Sequence, residues 1–177
     1  MKIKVSITEI KNNLPNAMSC CNMIMGVSAI ILAAKEYFFL ASIMVIIGAV
    51  FDRYDGIVAR KLNVVSKLGK EMDSLADLIT FGLAPSIIAL LFPLSSFKIS
   101  GYIISIIFIT CGWYRLSRYN VSHMSNVYTG LPITIAGCLL AVSLIYQSEY
   151  NVHPHSTAFM MLVFSYLMVS QHKIKKI

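Results

Sequence analysis

The sequence predicts an all-α integral membrane protein of six transmembrane helices joined by short loops, with both termini in the cytoplasm. Three observations lead there. Of the 177 residues, 57% are hydrophobic and only 13% charged, against about 25% charged and 45–50% apolar in an ordinary soluble domain. Six apolar stretches approach the roughly 20 residues that a bilayer demands of a helix. Lys and Arg fall almost wholly on one side of those stretches, which marks that side as cytoplasmic.

The composition also excludes other classes. Disordered chains are poor in apolar residues, and four cysteines are too sparse for a disulfide-stapled secreted module. The formal charge of +7 comes from basic residues flanking apolar spans. No basic run is interleaved with aromatics, so no nucleic-acid partner is expected. The positive-inside rule accounts for that charge, with attraction to anionic membrane lipids as an added effect.

The elements follow in chain order. Residues 1–13 carry Ile3, Val5, Ile7 and Ile10 among Lys2, Lys4, Glu9 and Lys11. They read either as an interfacial amphipathic helix or as a basic tail, and no small-residue cleavage site marks a signal peptide. A six-helix membrane domain covers 14–171, and 172–177 form a basic tail. The apolar stretches lie at roughly 15–34, 37–52 (running on towards Arg60), 72–92, 99–117, 131–148 and 155–171. The second is short because its helix leaves the apolar layer and continues in charged sequence. The cytoplasmic side then collects Lys2, Lys4, Lys11, Arg53, Arg60, Lys61, Lys67, Lys70, Arg115, Arg118, Lys173, Lys175 and Lys176, with only Lys35 and Lys98 opposite. So little chain remains outside the spans that any chemistry sits in the membrane or at its edge.

Asp52, Asp55, Glu71, Asp73 and Asp77 are five of the eight acidic residues. A carboxylate at the centre of a spanning helix costs about 2.5–3.5 kcal/mol on insertion scales. Asp52 and Asp55 share a helix face at i, i+3, and Asp73 and Asp77 share one at i, i+4. Gly48, Gly56 and Ala59 extend the first face, Gly69 and Thr80 the second, with almost no side-chain bulk. One reading pairs each acid with Arg53, Arg60, Lys61, Lys67 or Lys70. The other brings both pairs together across a short turn around Lys61–Lys67, where four carboxylates would need counter-ions. Hard oxygen ligands suit Mg²⁺ or Mn²⁺, and two divalent cations would balance the charge. Gly56 and Gly69 leave room for a phosphate group, and Arg60 offers a fixed cation with bidentate geometry. These are the parts of metal-assisted phosphoryl transfer.

The string Asp52-Arg-Tyr-Asp55-Gly56-x-x-Ala59-Arg60, eight further residues, then Gly69-x-x-x-Asp73-x-x-x-Asp77 resembles the signature of the CDP-alcohol phosphotransferase family. Further strings are similar to the membrane-bound phosphatidylserine synthases of bacteria and archaea. These are Asp73-Ser-Leu-Ala-Asp77-Leu-Ile-Thr-Phe-Gly-Leu-Ala-Pro-Ser86, Cys111-Gly-Trp-Tyr-Arg115-Leu-Ser-Arg118-Tyr-Asn120, Tyr128-Thr-Gly130-Leu-Pro132 and Ser165-Tyr-Leu-Met-Val-Ser170. Leu78 stands where the phosphatidylglycerol-phosphate branch usually has Lys. Ser19 stands where the family's Pro-Asn-x-x-Thr start has Thr, with the hydroxyl retained.

The resemblance implies a homodimeric enzyme of the prokaryotic cytoplasmic membrane, with its site at the cytoplasmic face. Its reaction would move a phosphatidyl group from CDP-diacylglycerol to the hydroxyl of L-serine and release CMP. Asp52, Asp55 and Asp73 would hold metal, and Asp77 would bind the second metal and act as general base. Asn16, Ser19, Asp52, Gly56, Ala59, Arg60, Gly69 and Asp73 would surround the nucleotide and pyrophosphate. A contact of Gly130 and Pro132 with serine rests on the resemblance alone. Arg115 and Arg118 read either as carboxylate-binding groups for serine or as interfacial anchors. Thr80 shares the acidic face, and Ser86 reads either as a serine contact or as a hydroxyl bonded to its own helix. Glycerol 3-phosphate or an inositol phosphate is the alternative acceptor. A divalent-cation carrier is a rival from another class, against which Arg60 and the glycine spacing speak. The cysteines read as packed thiols, and His153-Pro-His155 as a loop pair.

Overall fold

A computed structural model describes residues 7–62, 64, 66–121, 128–150, 153–170 and 173–174. They form helices α1 (Ile7–Ala34), α2 (Phe38–Leu62), α3 (Lys67–Asp77), α4 (Ala84–Leu91), α5 (Ile99–Val121), α6 (Ile133–Glu149) and α7 (Pro154–Val169). A π-helical segment, Leu78–Leu83, fuses α3 and α4 into one rod from Lys67 to Leu91. Beyond these lie a short 3₁₀ turn, Pro93–Phe97, and a two-residue antiparallel pair of Tyr128–Thr129 with Lys173–Ile174.

The rods coincide with the apolar stretches of the sequence. Leu14–Ala34, Lys67–Leu91 and Ile99–Val121 are long and apolar enough to cross a membrane. α6 and α7, at 17 and 16 residues, are shorter and reach about 24–26 Å at 1.5 Å per residue. α2 has 25 residues, its charges confined to the second half. Ile24, Ile31, Ile103, Ile106, Val142 and Phe159 stand exposed around the outside. Water would not tolerate so apolar an exterior, whereas lipid is its natural solvent. The protein is an all-α integral membrane protein.

Two boundaries differ from expectation. α1 starts at Ile7 and runs through Pro15, so the backbone of 7–13 is helical and leads directly into the apolar span Leu14–Ala34; residues 1–6 lie outside the described residues. The third rod starts five residues before its apolar stretch because Ser66 caps it. The Ser66 hydroxyl accepts the Gly69 N–H at 2.9 Å and satisfies one of the orphan donors of a helix start.

The π segment has a local cause. Pro85 lacks an N–H, and its ring collides with the carbonyl four residues back in a regular helix. Widening the preceding turn, with Ala84 N–H donating to Ile79 O, lets the rod continue. This wide turn sits at the centre of the bundle, where Thr80 and Phe81 are fully buried. A Cβ on Gly26 would lie 2.8 Å from Thr80 Cα, one on Gly48 2.6 Å from Thr80 Cγ2, and one on Gly137 2.6 Å from Phe81 O. α1, α2 and α6 thus approach the π turn as closely as small residues permit, the usual way helices pack in lipid.

The entrance to α6 is tied to the exit of α7. Gly130 adopts φ +80° with its Cα face against the Met168 carbonyl, Leu131 N–H donates to Leu167 O at 3.0 Å, and Arg118 donates to Val169 O at 3.2 Å. Deeper in, the Thr157 hydroxyl donates to Gln147 Oε1 at 2.8 Å and joins α6 to α7. His155 packs edge-on to Phe97 at 5.0 Å.

Gly137→Leu is expected to destabilise the bundle by about 1–3 kcal/mol through overpacking against the Phe81 backbone. Leu139→Ala, on the exposed face of the same helix, is expected to leave the thermal midpoint in detergent unchanged. The two midpoints check this.

Candidate active site

α2 and α3 are joined by residues 63–66. Both lean on α1, and the gap between them is a cleft of about 140 Å³. Pro15, Asn16 and Ser19 of α1, Asp55, Gly56 and Ala59 of α2, Val64 and Ser66 of the connection, and Gly69, Lys70 and Asp73 of α3 line it. One oxygen from each of Asp52, Asp55 and Asp73 lies within 4.8 Å of the others. Asp77 lies against Asp52, and Asp55 against Asp73. The four carboxylates converge, with Asp52 and Asp77 behind the cleft rather than on its wall.

In the rival arrangement each acid would be neutralised by its own basic neighbour; Arg53 does act on Asp52, but two of the other candidates are engaged elsewhere. Arg60 turns its Nε to the Gly56 carbonyl at 2.9 Å, and Lys70 sits over the Tyr119 ring at 5.2 Å. Buried Asp73 Oδ1 has no hydrogen-bond partner. Clustered carboxylates with an orphaned oxygen fit a divalent cation bound through hard oxygen ligands. Among the described residues this is the group of acidic side chains arranged to hold one.

Space and donors are arranged around that cluster. A Cβ on Gly56 would meet nothing nearer than Arg60 Nη2 at 4.0 Å, whereas one on Gly69 would press Asn16 Oδ1 at 2.8 Å. Gly56 therefore leaves the cleft open, and Gly69 lets α1 close its floor. The Ser19 hydroxyl donates to Asp55 Oδ2 at 2.8 Å. Of the residues read from the sequence, Asn16, Ser19, Asp55, Gly56, Ala59, Gly69 and Asp73 line the cleft, and Arg60 stands exposed beside Gly56.

Other candidates are elsewhere. Thr80 is fully buried and donates to Asn22 O at 2.9 Å, so its hydroxyl serves a helix joint. Ser86 donates to Gly82 O at 2.7 Å within its own rod. Arg118, Gly130 and Pro132 belong to the α6–α7 tie and the start of α6. Arg115 is half-buried, 5.6 Å from the Tyr119 ring, on the helix end that reaches α3 through Asn120 and Ser74 at 3.0 Å.

Sequence reasoning missed three contributors. Asn22 donates to Asp77 Oδ1 at 3.2 Å; a lone amide inside an apolar span is a signal that could have found it. Thr134, in the first turn of α6, reaches Asp52. Lys70, which the sequence offers as part of the cytoplasmic charge excess or as an ion-pair partner of the acids, lines the cleft.

A family model described as CDP-alcohol phosphatidyltransferase matches residues 12–174. The chain belongs to that family. A CDP-diacylglycerol–serine O-phosphatidyltransferase of Bacillus subtilis strain 168 is 36% identical over 92% of this chain and 89% of its own length. One of Helicobacter pylori strain 26695 is 34% identical over 87% of this chain and 66% of its own. An archaetidylserine synthase of Methanothermobacter thermautotrophicus is 34% identical over 89% of this chain and 67% of its own. As a CDP-alcohol phosphatidyltransferase the protein is a transferase of phospholipid synthesis, and the divalent-metal dependence general in the family agrees with the acidic cluster.

Ser19→Ala removes the donor that orients Asp55. Manganese titration of the purified protein is expected to show about 10–100-fold weaker binding, the usual effect of losing such support.

Proposed function

We propose that the protein transfers the phosphatidyl group of CDP-diacylglycerol to L-serine and releases CMP, at the cytoplasmic face of the membrane. The observation that carries this is the convergence of Asp52, Asp55, Asp73 and Asp77 at an open cleft whose wall includes Asp55, Asp73, Gly56 and Gly69. The names of the relatives support serine as acceptor, and the Lys and Arg distribution supports the cytoplasmic side.

In this reading the four aspartates hold two divalent cations, Mg²⁺ or Mn²⁺, which would offset charge on the diphosphate and on departing CMP. Gly56 and Ala59 admit the pyrophosphate close to the backbone, and Asn16, Ser19 and Gly69 close the floor beneath the nucleotide. Arg60 and Lys70 supply cations to its phosphate oxygens. Asp77, only 8% exposed, takes the proton of the serine hydroxyl as general base. The serine oxygen bonds to the phosphorus that carries the diacylglycerol, and the bond from that phosphorus to CMP breaks. Arg115 binds the carboxylate of serine. Nucleotide and amino acid arrive from the cytosol while the acyl chains remain in lipid, and the family resemblance supports a homodimer.

Purified protein incubated with CDP-diacylglycerol and a panel of L-serine, glycerol 3-phosphate and an inositol phosphate is expected to release CMP with serine. Release with a phosphorylated alcohol alone would overturn the acceptor, and metal uptake without CMP formation would favour a carrier. Asp77→Asn is expected to lower kcat by roughly 10²–10⁴-fold with donor binding retained; wild-type turnover would remove Asp77 from the mechanism. Arg115→Ala is expected to raise KM for serine more than KM for the lipid donor, and equal effects would make it an anchor.

A further inference from the structure

An amide inside a lipid-embedded helix persists when it has a polar partner. Asn22 is fully buried and stands among Cys21, Met23, Ile24 and Met25 on α1. It meets the third rod at two points. Its side-chain Nδ2 donates to Asp77 Oδ1 at 3.2 Å, and its main-chain carbonyl accepts the Thr80 hydroxyl at 2.9 Å. Asp77 and Thr80 are three residues apart, so they present one face, and the wide turn begins between them.

The joint leaves little freedom. Thr80 fills the places where side chains on Gly26 and Gly48 would go, and Asn22 Oδ1 lies 3.0 Å from the Cβ position of Gly48. That Oδ1 has no hydrogen-bond partner. A leucine of similar size would fill the same space without an orphaned oxygen, so packing alone does not account for the amide. Its bond to the Asp77 carboxylate does.

We propose that Asn22 is a positioning residue for Asp77: its amide holds Oδ1 and fixes the direction in which the carboxylate meets the acceptor hydroxyl. The inference rests on the reading of Asp77 as general base. Two lesser roles are distinguishable from it. A plain structural pin between α1 and the third rod affects stability, and a support for metal affinity alone is overcome by more metal.

The test compares Asn22→Leu with wild type in detergent, measuring kcat, KM for CDP-diacylglycerol and melting temperature at rising Mg²⁺. Expected are a kcat lower by about 10–100-fold, a donor KM within about twofold as befits a loss confined to the chemical step, and a melting temperature no lower than wild type. The kcat loss persists at saturating Mg²⁺. Asn22→Asp, which keeps the shape and removes the N–H donor, is the second variant should the leucine form not assemble, and the same kcat loss is expected. Wild-type kcat in an assembled variant, recovery at high Mg²⁺, or a loss that tracks a fallen melting temperature overturns the inference. An inactive Asp77→Asn beside a fully active Asn22→Leu sinks the positioning role alone, whereas a fully active Asp77→Asn sinks the general base itself.

Discussion

Like-charge repulsion governs the active end of this molecule. Two unit charges about 4 Å apart near a protein surface repel by roughly 4 kcal/mol, and here carboxylate oxygens from two helices lie within 4.8 Å of one another. Of the basic side chains near them, Arg53 offsets part of the charge at Asp52, while Arg60 and Lys70 are engaged elsewhere. Bound divalent cations would offset this repulsion, and the packing of the surrounding helices keeps the acids from splaying. α2 and α3 do not brace each other; each is braced by α1, through Ser19 to Asp55 and through Asn22 to Asp77. The first helix is therefore as much part of the site as the two that carry the acids.

The π turn connects this site to the fold. Asp77 is the last residue before it, and the glycine contacts of α1, α2 and α6 all close upon its Thr80 and Phe81. A regular helix would present a different face after Asp77 and would leave Pro85 in conflict with the turn before it. The feature that makes room for a proline thus also fixes how the deepest acid is aimed. Wide turns recur at functional sites for this reason: they aim side chains in directions that a uniform helix does not offer.

Much of this was legible in the linear chain. Apolar length located the rods, and the spacing of Asp52 with Asp55 and of Asp73 with Asp77 exposed the acidic faces, because both signals are local and periodic. Asn16 and Ser19 came through resemblance, and both line the cleft. The wide turn was not legible, since a proline in a spanning helix is equally compatible with a kink. Thr80 shares the acidic face, but its hydroxyl donates to the Asn22 main-chain oxygen, a group every residue possesses and no sequence advertises. Arg118 is similar, for its partner is the Val169 carbonyl. Thr134 comes from a helix far along the chain, so no spacing rule links it to Asp52.

The connection at residues 63–66 has a consequence for biogenesis. Both acidic stretches adjoin the same four-residue link, so a nascent hairpin of the second and third rods carries its carboxylates into the bilayer from a single leaflet. With that link on the proposed cytoplasmic side, none of them would have to traverse the hydrocarbon to the far side, a passage that would be costly for bare anions. The apolar halves of the hairpin make that crossing instead, which lets a highly charged centre be installed by an ordinary insertion pathway.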